Sequence, residues 1–388
     1  MLTKPKILNL ILILSFLIVF FVYLLTSEGK TPYDYFLRLA KALMEGRYWL
    51  TEKPPWLSEL IPWGNGRYYF VNPPIPAILA LPFVLIFKES FQQQYLAHLI
   101  GSLVVLATAI MAWRIKKSLG LVIWAAILTG LGSIVWFLSS TGSVWYLGQI
   151  TAYLFLTLAL IESLGKKRVF LVGILIACAL FSRLQVSPSI ILFIYLLKSK
   201  LNKKNLLIFL LGLAPFFVVY FLYNFIRFGN IFENGYTLIP GILKEPWFNH
   251  GQFSIFYIPK HLKIFLSGLP IISDKFPYIW PSWAGMAIWI TTPAFIYSLT
   301  APFNKNQVRL VWLTIIAIAL INFSYGSTGF SQFGYRYAVD FYPFLTFLTI
   351  KGVAKTGLKW HHWLLLIIGV IVNLWGVLWI NKFGWVSY

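Results

Sequence analysis

Residues 7–25 read ILNLILILSFLIVFFVYLL, a run without a single charged side chain. As a helix it is long enough to cross a hydrocarbon core of about 30 Å. Similar stretches recur at roughly 92–113, 121–138, 145–163, 169–181, 187–197, 205–226, 284–300, 309–325, 339–350 and 363–381. Strands of a membrane barrel would alternate apolar and polar residues at every second position, and these runs do not. The expectation is an all-α integral membrane protein with about eleven transmembrane helices, forming one polytopic domain over residues 1–388. The first apolar run is too long for the h-region of a cleavable signal, and no small-residue cleavage pattern precedes Glu28, so it reads as a retained helix.

Composition agrees. Of the 388 residues 59% are hydrophobic and 11% charged, against about 25% charged in a soluble domain. The mean hydropathy is +0.77. A chain this poor in charge could not cover its own surface in water. The net charge of +21 would suggest nucleic acid in a soluble protein, but its distribution points elsewhere. With the N-terminus cytoplasmic, the inner segments hold Lys4, Lys6, Arg114, Lys116, Lys117, Lys166, Lys167, Arg168, Lys198, Lys200, Lys203, Lys204, Lys305, Arg309, Lys351, Lys355 and Lys359, which is 17 of the 32 basic residues, with Glu162 as their one acid. Dense Lys and Arg in short loops mark the cytoplasmic side. The excess is therefore a topology signal, and no nucleic-acid partner is expected. Cys178 is alone in the chain and can form neither an internal disulfide nor a thiolate metal site.

Two long segments then fall on the outer side, 27–91 and 227–283, both rich in Trp, Tyr, Phe and Pro as suits the membrane interface. Residues 31–46, TPYDYFLRLAKALMEG, predict an amphipathic helix with Thr31 as N-cap, Pro32 at its first position and Gly46 as its stop. Tyr33, Phe36, Leu37, Ala40, Leu43 and Met44 share one face, with Asp34, Arg38, Lys41 and Glu45 opposite. Such a helix lies along a membrane surface. Residues 72–87, NPPIPAILALPFVLIF, are apolar but punctuated by proline and predict a re-entrant or interfacial segment.

No Gly-rich phosphate loop, nucleophile elbow or HExxH motif is present. The informative residues are ionisable groups at the outer ends of the apolar runs: Asp34, Arg183 in FSRLQVSPS, Arg227 in YNFIRFGNIFENGY, and Arg336 with Asp340 in GYRYAVDFYPF. Ionisable groups at membrane depth are costly and default to functional candidates. An Arg fork can bond two phosphate oxygens at once, and a carboxylate beside such cations stays ionised and can act as a base. Structural roles carry equal weight at this point. Asp34 could cap its helix with Thr31, Arg336 and Asp340 could form an i,i+4 ion pair, and Arg183 could snorkel to headgroups.

The run TPYDYFLRLAKALMEGRYWL, then Glu59 in LSEL, then GRYYFVNPPIPAILALPF, resembles the first outer loop of polytopic glycosyltransferases of the GT-C superfold. That group includes protein O-mannosyltransferases and the lipid A aminoarabinose transferase. YNFIRFGNIFENGY and FGYRYAVDFYPFL are similar to later segments of the same chains. The resemblance implies an inverting transferase that moves a hexosyl or pentosyl group from a polyprenyl-phosphate donor to an acceptor hydroxyl of a glycan, lipid or protein, at the outer face of the cell membrane. It implies Asp34 as the catalytic base, Glu59 as a second carboxylate, and Arg336, Arg227 and Arg183 as ligands of the donor phosphate. A divalent metal would be compatible with the superfold, but the family often shows two adjacent acids where Asp34 is followed by Tyr35, and no metal ligands are assigned. The chain ends soon after its last apolar run, which suggests a minimal member. A transporter or flippase for a lipid-linked or anionic solute is the alternative, and an O-antigen ligase or polymerase a second. Against the transporter stand the lack of an evident inverted repeat and the placing of charges at helix ends.

Overall fold

The computed structural model describes residues 4–200, 202–330 and 332–385. Helix α1 (Lys4–Leu25) is a straight apolar rod that buries only Val19 and Tyr23; the Tyr23 hydroxyl donates to Gly130 O at 2.9 Å. Leu8, Ile11, Leu12 and Val22 pack against the bundle, and Leu10, Ile13, Leu14, Leu17, Ile18 and Phe21 are exposed, as a lipid-facing side requires.

The segment after α1 folds on itself. Helix α2 (Tyr35–Met44) follows, then an antiparallel pair of β1 (Leu60–Pro62) and β2 (Tyr68–Phe70) with Leu60 opposite Phe70, then α3 (Ile75–Phe87), which packs on α2. The sequence predicted this helix from Thr31; it begins four residues later. Neither Thr31 nor Asp34 bonds its first N–H groups. Gln93 does so from outside, its Oε1 accepting from Phe36 N at 3.0 Å and Leu37 N at 3.2 Å. The Gln93 amide also donates to Tyr33 O and Gly142 O. One buried side chain thus satisfies orphan donors at a helix start and ties three segments together. Gly46 does end the helix region, at φ +71°, where a side chain would be strained.

The bundle continues with α4 (Gln93–Ile115), α5 (Leu119–Gly130), α6 (Val135–Thr141), α7 (Val144–Leu164), α8 (Val169–Leu180), α9 (Ser189–Leu197) and α10 (Lys203–Phe228). A second long excursion holds α11 (Ile258–Ser267) and the short pair β3 (Ile271–Ile272) and β4 (Ile279–Trp280). It is followed by α12 (Ile288–Thr291), α13 (Asn306–Phe323), α14 (Tyr342–Thr356) and α15 (Trp360–Val377). Among the described residues six helices are long and apolar enough to cross a membrane: α1, α4, α7, α10, α13, and α15 with its continuation to Lys382. The count is seven if α5 and α6, bent by 55°, form one span. The sequence predicted about eleven. The difference lies in runs that are apolar but broken. Helix α8 has 12 residues and α9 has 9, about 18 Å and 14 Å at the helical rise, and Pro188 precedes α9. The runs at 284–300 and 339–350 are divided between α-helix and 3₁₀-helix at Pro293 and Tyr342. Hydropathy reports burial in an apolar environment and cannot tell lipid from protein interior.

Small residues set the closest crossings. Gly173 of α8 faces Gly212 of α10; a Cβ on Gly173 would sit 2.6 Å from Phe209 O, so the two backbones touch only because both lack one. At one end of the bundle the basic loops meet: Lys116 Nζ donates to Ala354 O, Arg114 Nη1 to Ile161 O, and Lys351 Nζ to Gln307 Oε1. The two long excursions and a large cavity occupy the other end.

Candidate functional site

The cavity holds about 510 Å³, inside the range of roughly 300–1,000 Å³ typical of small-molecule sites. Its walls come from segments far apart in sequence. The first excursion supplies Glu59 and Asn72, α7 supplies Trp145, the α8–α9 turn supplies Arg183, the second excursion supplies Tyr236 and Glu245, and the turn before α14 supplies Arg336 and Tyr337.

Arg336 opens a 3₁₀ turn, Arg336–Phe341, and is 4% exposed. Among the described residues its Nε and Nη1 have no hydrogen-bond partner and it makes no ion pair. The rings of Tyr337, Trp145 and Tyr146 stand at 4.6, 5.9 and 5.9 Å from its guanidinium carbon. A buried guanidinium with free N–H groups is costly unless something meets it. The backbone around it is fixed. Gln149 Nε2 donates to Arg336 O at 2.9 Å, Asn322 Nδ2 donates to Tyr337 O at 3.0 Å, and Gln332 Oε1 accepts from Arg336 N at 3.4 Å. His261 buttresses the preceding residue. Its Nε2 faces Tyr325 O at 2.8 Å, so that nitrogen carries the proton and Nδ1 accepts from the Tyr335 hydroxyl at 2.6 Å. Burial pushes the His261 pKa down to about 4, leaving the ring neutral at pH 7.

Asp340 does not pair with Arg336, the i,i+4 reading that the spacing left open. It takes Arg183 instead, in a bidentate pair of Nε to Oδ1 at 3.1 Å and Nη2 to Oδ2 at 2.8 Å. Asn322 Nδ2 adds a bond to Oδ2 at 3.0 Å. Arg183 therefore lines the cavity with its fork already occupied.

Glu59 is half-buried in the cavity wall, its two carboxylate oxygens accepting from Trp145 Nε1 at 3.0 and 3.1 Å. Burial raises its pKa above the usual carboxylate value, and the Trp145 bond, then the Arg336 charge, oppose that rise. Glu245, which the sequence did not single out, lines the cavity from the second excursion, and burial raises its pKa too.

Two nominated residues lie off the cavity lining. Asp34 is buried at the start of α2, its Oδ1 accepting from Arg38 Nε at 2.7 Å, with Glu52 also reaching Arg38 at 3.7 Å. Arg227 is 2% exposed at the end of α10. It donates to Phe70 O, Asn224 Oδ1 and Tyr223 O and stacks at 3.6 Å on the Tyr223 ring, so it fastens the first excursion to α10. The structure thus brings Arg336, Arg183 and Glu59 together and keeps Asp34 and Arg227 apart from them. Gln149 and Asn322 were legible in principle, as polar residues inside apolar runs; Trp145 and Glu245 carried no such signal. Among the described residues no group of three or more His, Cys, Asp or Glu could hold a metal ion.

The structure is thus an all-α membrane bundle whose two long excursions gather over a cavity at one end. In the comparison with solved structures, the chain matches ArnT from Cupriavidus metallidurans bound to undecaprenyl phosphate, at a TM-score of 0.56 and 15% identity over 96% of this chain and 64% of that one. The same protein in the apo state matches at a TM-score of 0.56 and 14% identity, over 100% of this chain and 66% of that one. The chain thus has a GT-C-like fold and spans a little under two thirds of the ArnT length. No family profile matches the sequence, and no curated protein does.

Proposed function

We propose that this protein is a membrane glycosyltransferase that moves a sugar from a polyprenyl-phosphate donor to an acceptor hydroxyl on the outer side of the membrane. The observation that carries this reading is Arg336: a buried, firmly held guanidinium whose Nε and Nη1 are unpartnered in a cavity that also presents a carboxylate. A phosphate in the cavity would meet this cation with charge-assisted hydrogen bonds. The undecaprenyl phosphate bound in the matching ArnT structure is of that chemistry. The basic clustering at the far end supports the outward orientation.

The chemistry follows from the groups at hand. A lipid phosphate is a good leaving group, so the site needs a cation where negative charge develops and a base for the acceptor proton. Arg336 is the cation. Glu59 is the base favoured by position, since it faces the cavity; Asp34, held on Arg38, is assigned to fixing the start of α2. Arg183 acts through Asp340 and Arg227 through the Phe70 carbonyl, both as positioning residues. One direct displacement at the anomeric carbon inverts it, the bond to the acceptor oxygen forming as the bond to the phosphate oxygen breaks.

The test is the affinity of the purified full chain for undecaprenyl phosphate. Arg336→Lys keeps the charge and loses the fork, and is expected to bind at least about tenfold more weakly, since charge-assisted bonds contribute roughly 1.5–3 kcal/mol. Unchanged binding by both Arg336→Lys and Arg336→Gln would sink the proposal. Translocation of an intact lipid-linked sugar, without transfer, would replace it with a flippase.

A further inference from the structure

A second cavity of about 290 Å³ lies beside the first, lined by Glu28, Thr31, Tyr33, Ser143, Trp145 and Tyr146 among others. Tyr33 and Trp145 line both cavities. Their rings stand 4.9 Å apart, and the indole is held by its bond to Glu59, so this aromatic pair is the partition between the two spaces. The chemistry on its two sides differs. The first cavity contains the unpartnered guanidinium of Arg336. The second has a carboxylate, Glu28, which makes no ion pair among the described residues, and Lys30 is its one cation. Thr31 and Ser143 add hydroxyls, and Ser143 is 2% exposed with its Oγ lacking any partner among the described residues.

We infer that this second cavity binds one sugar ring of the acceptor, an inference that rests on the transferase reading. A pyranose has an apolar C–H face that packs on an aromatic ring, and an edge of hydroxyls that donate to carboxylates and exchange bonds with Ser and Thr. The aromatic partition offers the first, and Glu28, Thr31 and Ser143 the second. The cavity lacks the buried, unpartnered guanidinium that marks the first as a phosphate site, and an acyl chain would leave the Glu28 carboxylate and the Ser143 hydroxyl without partners. The volume is at the lower end of small-molecule sites, which suits a single ring. A ring held here is one aromatic layer from Glu59, so the hydroxyl that reacts belongs to a neighbouring unit of the acceptor that reaches the first cavity.

The experiment uses the full chain in detergent with four probes, the methyl glycosides of glucose, galactose, mannose and N-acetylglucosamine, followed by saturation-transfer NMR. At least one is expected to bind. Glu28→Gln and Ser143→Val should each weaken it at least about fivefold, the factor for roughly 1 kcal/mol of lost hydrogen bonding, with Ser143→Ala as the variant if Val disturbs the start of α7. Saturating undecaprenyl phosphate should leave glycoside binding unchanged. Failure of all four glycosides to bind, indifference to the Glu28 and Ser143 variants, or displacement by undecaprenyl phosphate would each overturn the inference. If undecaprenyl phosphate binding proves independent of Arg336 while the glycoside result holds, it is the transferase reading that fails.

Discussion

Arg336→Gln should make the ligand-free protein more stable while destroying its response to lipid phosphate. The guanidinium is 4% exposed with two nitrogens unpartnered, a burden of roughly 1–3 kcal/mol or more for a charged group. Its stacking on Tyr337 at 4.6 Å returns about 0.5–2 kcal/mol. Replacing it by a neutral amide of similar reach therefore gains about 1 kcal/mol, or roughly 1 °C in Tm for a chain of 388 residues. The parent should in turn gain about 2.7 kcal/mol from undecaprenyl phosphate at one hundred times its Kd, and the variant almost none. Thermal unfolding in detergent, with and without undecaprenyl phosphate, reads both effects. A variant that melts earlier than the parent and is still stabilised by the lipid would refute the reasoning, because Arg336 would then be a structural cation.

Glu59→Gln should lower transfer by roughly 10²–10⁴-fold with lipid binding intact, whereas Asp34→Asn should leave turnover near normal; the reverse ranking would return the base to Asp34. Because the Glu59 pKa is raised above its usual 4.5, the rate should fall as pH drops through that raised value. Its contribution to stability is present at pH below the unfolded pKa and lost as pH rises through the folded one, so Glu59→Gln should flatten that loss in a pH series of unfolding curves. Arg183→Gln or Asp340→Asn alone should cost about 3–5 kcal/mol, as a buried charge is left alone, and the double variant clearly less than the sum; additive losses would deny the pairing. Cysteines placed at Ser58 and Asn249 should react with an impermeant reagent from outside and one at Lys203 should not, and labelling at Lys203 would overturn the orientation.

Local chemistry made much of this protein legible in its sequence. The apolar run at 7–25 became α1 and the run at 205–226 became α10 with Arg227 in its last turn; around α2, Phe36, Leu37 and Ala40 of the predicted face are buried, but so are Asp34 and Leu39 off it, while Met44 is exposed. Each depends only on neighbours within a few turns. What the chain could not announce was which polar group each polar group would meet. Asp340 has Arg336 four residues away and pairs with Arg183, 157 positions distant; Phe36 N finds its cap in Gln93, 57 positions on. The short runs at 169–181 and 187–197 are as apolar as the long helices, yet fold as helices of 12 and 9 residues, with α8 packed against α7 and α10. In an apolar surrounding an unpaired charge or N–H is far costlier than the bond that satisfies it, so partners are chosen by the global packing that brings them within reach. That choice leaves Arg336 free in the cavity and holds Asp34 outside it.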